Sequence, residues 1–214
     1  MKWGLYPILD SLLFGDNLID AARELVELEV PAIQLRVKDR EDREFARLAL
    51  AIREITRGSG TLFIVNDRLD MALVSDADGL HLGQDDLPIS LARRILGKEK
   101  IIGLSTHSLG EAVQAEALGA DYIGLGPIFK TSTKPHLEPK GVALIKEVRK
   151  RVKIPIVAIG GINEENVGEV LTSGADGVAL ASCLAKAKDL PKTVKIFLGV
   201  AKNMKEEVCQ VSPI

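Results

Sequence analysis

One unit recurs three times along this chain: an amphipathic stretch, a small-residue turn carrying an aspartate, then a short apolar strand. It is read at Ser75-Asp76-Ala77-Asp78-Gly79-Leu80-His81-Leu82, at Leu118-Gly119-Ala120-Asp121-Tyr122-Ile123-Gly124-Leu125 and at Ser173-Gly174-Ala175-Asp176-Gly177-Val178-Ala179-Leu180. Repeated helix-to-strand connections of one design imply an architecture built by repetition. The expected strands are Leu5–Leu9, Ala32–Leu35, Leu62–Val65, Gly79–Leu82, Ile101–Leu104, Tyr122–Leu125, Ile156–Ile159 and Gly177–Leu180. Helical periodicity is clearest over Leu18–Leu28, Asp42–Thr56, Leu109–Leu118, Val142–Val152 and Asn166–Ser173. Strands that alternate with helices pair in parallel through right-handed crossovers. Such units could build an open doubly wound sheet, but no Gly-x-Gly-x-x-Gly fingerprint follows the first strand, where Asp10-Ser11-Leu12 stands. The expectation is an α/β fold, a single (β/α)8 TIM barrel spanning 1–214 as one domain, with no linker or low-complexity break. At 214 residues the chain is near the short end for that fold, so most connections must be brief.

The seventh and eighth expected strands both run into anion-binding chemistry. Ile156-Val157-Ala158-Ile159, a continuous apolar run behind Pro155, reads as a strand buried on both faces and ends at Gly160-Gly161. The eighth ends at Ala181-Ser182, where a hydroxyl and the start of a helix meet the same space. Loops after strands seven and eight of such a barrel are a recurrent phosphate site. The competing reading is that these glycines only permit tight turns between strand and helix.

Composition narrows the partners. A formal charge of −2 with both signs interspersed gives neither a basic footprint for nucleic acid nor a polybasic face for lipid, which leaves small molecules. Two cysteines, Cys183 and Cys209, are expected as free thiols in a reducing compartment. No signal-peptide pattern and no run of membrane-spanning length is present, so a cytoplasmic location is expected. Apolar positions on outer helices serve packing and self-association equally well, which leaves a homo-oligomer open.

Catalytic groups of a barrel converge at strand C-termini. The second strand ends in Gln34-Leu35-Arg36-Val37-Lys38, whose period of two turns Gln34, Arg36 and Lys38 to one side; a structural ion pair at the rim is the alternative for the two cations. The third ends in Asn66-Asp67-Arg68, and the fourth leads through His81-Leu82-Gly83-Gln84-Asp85-Asp86 to Pro88. Asp67 and one of Asp85 or Asp86 can therefore meet above adjacent strands. Two carboxylates without a His or Cys cluster suit a hard cation such as Mg2+; alternatively each caps a helix, Asp67 one beginning at Arg68 and Asp86 one near Pro88. Across the mouth, Gly126-Pro127-Ile128-Phe129 leads to Thr131-Ser132-Thr133-Lys134, hydroxyls and an ammonium that suit a polyanion. Metal, cations and hydroxyls together imply pyrophosphate, and a separate phosphate at Gly161 and Ser182 implies a second phosphorylated substrate. His81 and His107 are read as structural or supporting groups, His136 as exposed and Trp3 as packing.

In their order and spacing, Gln34-Leu35-Arg36-Val37-Lys38, Asn66-Asp67-Arg68, His81-Leu82-Gly83-Gln84-Asp85-Asp86, Gly126-Pro127-Ile128-Phe129 and Thr131-Ser132-Thr133-Lys134 resemble the thiamine phosphate synthase family. The likeness runs from Leu5 to about Ser182. It implies an Mg2+-dependent transferase that joins hydroxymethylpyrimidine pyrophosphate to a thiazole phosphate, or its carboxylated form, giving thiamine phosphate and pyrophosphate. It implies Asp67 and Asp86 as metal ligands, and Gln34, Arg36, Lys38, Asn66 and Lys134 as pyrimidine and pyrophosphate contacts. Ser105 resembles the serine beside the pyrimidine amino group, Thr131 and Thr133 the loop hydroxyls over the phosphates, and Gly161 and Ser182 the thiazole-phosphate site. Pro135 after Lys134 and the tail after Leu198 depart from the pattern. Three other readings remain: the related thiazole tautomerases, which carry a histidine where this chain has Pro127; an aldolase-type barrel with a Schiff-base lysine at Lys38 or Lys134; and a barrel that binds phosphorylated ligands without catalysis.

Overall fold

The computed structural model describes residues 3–131 and 138–211, with side chains described through 203. Eight parallel strands close into a barrel in sequence order: β1 (Gly4–Asp10), β2 (Ala32–Arg36), β3 (Leu62–Asn66), β4 (Gly79–Leu82), β5 (Ile101–Thr106), β6 (Tyr122–Leu125), β7 (Ile156–Ile159) and β8 (Gly177–Leu180). Closure is made by β1 against β8, with Gly4 opposite Gly177 and Pro7 opposite Leu180. Four strands coincide with the periodic reading; the others extend one or two residues further, carrying Asp10, Arg36, Asn66, Ser105 and Thr106 to the strand ends.

The helices are α1 (Ser11–Phe14), α2 (Leu18–Glu27), α3 (Asp42–Thr56), α4 (Leu69–Val74), α5 (Ile89–Leu96), α6 (Leu109–Ala117), α7 (Gly141–Arg149), α8 (Val167–Thr172), α9 (Ser182–Ala185) and α10 (Leu190–Val211). The short α4 and α5 are not among the stretches of clearest periodicity; they stand where the sequence offered helices only as the alternative at Arg68 and near Pro88. Ser108 caps α6 by accepting from the Glu111 amide, an arrangement worth about 1 kcal/mol. The long α10 packs on α8, β1 and α2. Among the described residues no helix is long and apolar enough to cross a membrane.

The recurring aspartate has one structural job at all three positions. Asp78 accepts from the Phe63 amide (2.8 Å), Asp121 from Ile102 (2.7 Å) and Asp176 from Ile156 (2.7 Å), each tying the entry of one strand to the strand before it. In each unit an arginine on the helix that precedes the first strand of the pair closes the arrangement: Arg53 on Asp78 (3.0 Å), Arg93 on Asp121 (2.5 Å) and Arg149 on Asp176 (2.9 Å). The repeat is therefore a clamp at the N-terminal end of alternate strand pairs, opposite the face where active sites of such barrels lie.

Most apolar residues pack between strands and helices, while a second cluster fills the barrel interior: Trp3, Tyr6, Ile8, Ala32, Ile64, Tyr122, Val157 and Ala179. Trp3 packs 4.2 Å from Tyr122 between ring centroids, in agreement with its expected packing role. The Tyr122 ring crosses the barrel only because residue 103 is glycine, where a Cβ would sit 2.2 Å from the ring. Above this aromatic floor the barrel opens into a cavity.

Candidate active site

The cavity has a volume of about 150 Å³. Its wall is drawn from every part of the ring: Gln34 and Arg36 from β2, Asn66 from β3, Ser105 from β5, Thr131 from the loop after β6, Gly161 after β7 and Ser182 after β8. Lys38, Asp67 and Asp86 stand at the rim beside it.

The alternation of β2 carries three of these groups. Ile33, Leu35 and Val37 are buried under the helices, while Gln34 and Arg36 turn inward and Lys38 emerges above them. Register places Asp10 opposite Arg36, and the two side chains form an ion pair. Asp10 also caps α1 by accepting from the Leu12 amide (3.0 Å). Sequence reasoning used Asp10 only to exclude a dinucleotide fingerprint; its position at a strand end was the signal that could have found it.

Lys38 is bonded to Asp67, with 45% of its side chain exposed. That solvent-facing, ion-paired setting is the opposite of the apolar pocket that lowers a Schiff-base lysine. Asp67 lies in the left-handed region at φ 62°, its amide held by the His81 carbonyl (2.8 Å). Left-handed backbone at a non-glycine residue costs roughly 1–3 kcal/mol and is concentrated where function requires it. Neither carboxylate caps a helix: α4 begins after Arg68 and α5 after Pro88, both without a side-chain cap. Instead Asp86 accepts from the Gly83 amide (2.6 Å) and its carboxyl lies close enough to that of Asp67 to interact. Burial, and next the Asp67 carboxyl, push Asp86 above the usual carboxylate range. Asp85 is exposed, so Asp86 is the one that meets Asp67.

On the opposite side of the ring, Gly161 adopts φ 66°, and a Cβ there would lie 2.5 Å from the Lys130 carbonyl oxygen. The chain after β7 thus runs tight against the chain after β6, where the Phe129 amide bonds the Gly160 carbonyl (2.9 Å). Ser182 opens α9 on the cavity wall with Cys183 beside it. Burial raises the Cys183 thiol, which disfavours the nucleophilic thiolate. Thr131 reaches the cavity, whereas Thr133, Lys134 and His136 lie outside the described residues.

The floor carries groups that the sequence reading left in supporting roles. His81 sits between Tyr122 Oη (2.8 Å from Nδ1) and Ser105 Oγ (3.0 Å from Nε2), and His107 contacts the Gly126 carbonyl. Tyr6 and Tyr122 also line the cavity; each lies near a strand start and reads in sequence as an ordinary core aromatic.

A closed (β/α)8 barrel with cations and paired carboxylates on one side of its mouth, and a glycine turn facing a helix start on the other, defines an enzyme for phosphorylated small molecules. Residues 5–184 match the family described as thiamine monophosphate synthase. A thiamine-phosphate synthase of Syntrophomonas wolfei subsp. wolfei is 48% identical over 88% of this chain and 91% of that protein. One from Methanosarcina barkeri is 43% identical over 94% and 91%. The solved thiamine phosphate pyrophosphorylase from Pyrococcus furiosus superposes with a TM-score of 0.87 at 38% identity, covering 95% of this chain and 97% of that one. The chain belongs to the thiamine monophosphate synthase family and is a transferase.

Proposed function

We propose that the protein, acting as one domain over 1–214, joins 4-amino-5-hydroxymethyl-2-methylpyrimidine pyrophosphate to a thiazole phosphate. Thiamine phosphate and pyrophosphate are the products. One observation carries this reading: the cavity has two dissimilar polar ends across the ring, Lys38 with Asp67 and Asp86 at one, Gly161 and Ser182 at the other. A single phosphate ester would need only one of them.

The pyrophosphate end is formed by Arg36, Lys38 and Asn66, with Thr131 of the loop after β6 on the cavity wall; Thr133 and Lys134, outside the described residues, are assigned to it on the family resemblance. Asp67 and Asp86 fit Mg2+: both would supply oxygen, they lie together, and the charge on Asp86, disfavoured by burial and then by Asp67, is what a bound cation would compensate. Bound there, Mg2+ supplies neutralising charge to the departing pyrophosphate. The pyrimidine lies over the floor between Gln34 and Ser105, and the thiazole phosphate takes the amides and hydroxyl at Gly161 and Ser182.

The bond from the pyrimidine methylene carbon to the pyrophosphate oxygen breaks first, the electron pair leaving with pyrophosphate. The electron-rich aminopyrimidine carries the resulting cation. Lys38 and Arg36 stabilise the charge gathering on the leaving group, the kind of interaction worth roughly 3–4 kcal/mol per donor. The thiazole nitrogen then gives its lone pair to the methylene carbon. No nucleophilic side chain is required, and holding both partners supplies the entropic share of the acceleration. Cys183 on the cavity wall is held as the thiol, which agrees with this route. A cytoplasmic setting suits such a free thiol.

The test mixes purified protein with both substrates, with Mg2+ or with EDTA, and follows thiamine phosphate and pyrophosphate together. Metal-dependent formation of both in equal amounts is expected. No product, with thiazole phosphate still bound, would reject the synthase reading.

A further inference from the structure

Four buried side chains and the half-buried Ser105 are strung across the barrel beneath the cavity. Gln34 Nε2 donates to Tyr6 Oη (3.0 Å), Tyr6 Oη lies 2.9 Å from Tyr122 Oη, Tyr122 Oη lies 2.8 Å from His81 Nδ1, and His81 Nε2 lies 3.0 Å from Ser105 Oγ. The links come from β2, β1, β6, β4 and β5 in turn. Water is largely excluded from the run up to its Ser105 end, since Gln34 is 2% exposed, Tyr6 1%, Tyr122 0% and His81 7%.

Proton counting gives the run a direction. A phenol has one proton to donate and a neutral imidazole has one. Burial lifts both phenols well above their ordinary range, so each keeps its proton. Tyr6 receives a proton contact from Gln34 and therefore directs its own hydroxyl to Tyr122. Tyr122 in turn donates to His81 Nδ1. His81 must then carry its proton on Nε2 and donate it to Ser105 Oγ. The Ser105 hydroxyl proton is left for the cavity, and so is Gln34 Oε1, which takes no hydrogen bond from the described residues. Turning the Gln34 amide over reverses every link. Its oxygen would then receive from Tyr6, His81 would be protonated on Nδ1, and the Ser105 proton would be committed to His81 Nε2.

We infer that this relay couples Gln34 to Ser105, so that the amide orientation at one end of the cavity floor decides whether the hydroxyl at the other end can donate. The ligand it suits is a flat heteroaromatic ring with a donor beside an acceptor, such as an amino group next to a ring nitrogen, and the direction of the relay sets which way round that ring lies. Tyr6, Tyr122 and His81 are on this account positioning residues. The ligand part rests on the pyrimidine reading above; the coupling is a property of the free protein.

The test is nitrogen-15 NMR of the imidazole side chains in the ligand-free full chain, with His81 assigned through His81→Gln. The wild-type protein is expected to hold the His81 proton on Nε2. Gln34→Glu at pH 8, with the new carboxylate ionised and able only to accept, should move that proton to Nδ1. Adding Tyr122→Phe, which keeps the ring against Trp3, should leave His81 as it is in Tyr122→Phe alone. Should Gln34→Glu fail to fold, Gln34→Met removes the group that sets the direction and should populate both tautomers. A wild-type proton on Nδ1, a tautomer indifferent to residue 34, or one that still follows residue 34 without the Tyr122 hydroxyl would overturn the inference. No arm uses substrate, so a failed relay leaves the synthase reading standing, and a failed synthase assay leaves the relay standing.

Discussion

The carboxyls of Asp67 and Asp86 lie close enough to interact, and Lys38 is bonded to Asp67. Two acids in contact share a site that cannot comfortably hold two negative charges, and Asp86 is the one raised, by burial first and by Asp67 second. Because its folded value lies above the unfolded one, the folded protein binds the extra proton more tightly. Stability contributed here is therefore present at low pH and declines as pH rises from the ordinary carboxylate range through the raised value. Asp86→Asn should raise the melting temperature in EDTA at pH 7 and lose that advantage near pH 3, while metal-dependent turnover falls by about 100-fold or more. Calorimetry in EDTA at both pH values, beside pyrophosphate release, checks the pair of effects; a variant destabilised at pH 7 would refute the repulsion. Metal affinity of the wild type should likewise weaken as pH falls through that same raised value, since the ligand must be deprotonated.

Lys38 should matter to the leaving group far more than to the fold. Its side chain is 45% exposed and its ion pair with Asp67 sits at the rim, so stability should change by less than about 1 kcal/mol on Lys38→Ala. Pyrophosphate release at saturating substrates should fall about 100- to 1,000-fold, with the KM for thiazole phosphate within a few-fold of wild type. Release within a few-fold of the unmodified enzyme would remove Lys38 from the reaction.

At Gly161 a side chain meets two obstacles at once, a φ of 66° and the Lys130 carbonyl 2.5 Å from where a Cβ would be. Gly161→Ala should displace the turn after β7 away from the loop after β6. We expect the KM for thiazole phosphate to rise about tenfold or more, the loss of one or two charge-assisted hydrogen bonds, with the KM for the pyrimidine substrate little changed. Steady-state kinetics with each substrate varied separately decides it: an equal rise in both KM values would mean a general distortion of the mouth.

The barrel was legible because its period is written in side chains that do one job. Asp78, Asp121 and Asp176 mark the entry to β4, β6 and β8, and Gln34, Arg36 and Lys38 mark the mouth by simple alternation on β2. The contact between Asp67 and Asp86 could be anticipated only as a choice between Asp85 and Asp86, because neighbouring residues on an irregular loop have no periodicity to separate them. The relay through Tyr6, Tyr122, His81 and Ser105 was not legible at all. It joins residues up to 116 positions apart, and which hydroxyl faces which depends on the closure and register of the ring, including the space left at Gly103. Asp10 escaped for a similar reason, since its partner Arg36 is supplied by a neighbouring strand.

The repeated clamp yields a prediction about stability that is independent of the chemistry. Asp176 accepts from the Ile156 amide and from Arg149, while Arg149 also donates to the carbonyls of Val152 and Ile154 (3.2 Å for the latter). Asp176→Ala leaves the β7 entry amide and the guanidinium without this partner, a loss of roughly 1–3 kcal/mol in urea unfolding. Asp121→Ala should cost a similar amount, since the same backbone contact and arginine are present at β5 and β6. Asp16→Ala, at an exposed position, should cost less than about 0.5 kcal/mol. Because the clamps lie at the end of the barrel away from the cavity, kcat for both clamp variants should stay within about twofold of wild type at temperatures well below unfolding. Unfolding midpoints for Asp176→Ala and Asp121→Ala no lower than that for Asp16→Ala would show that the repeated aspartates are a record of the chain's repetition and not what holds the strand entries together.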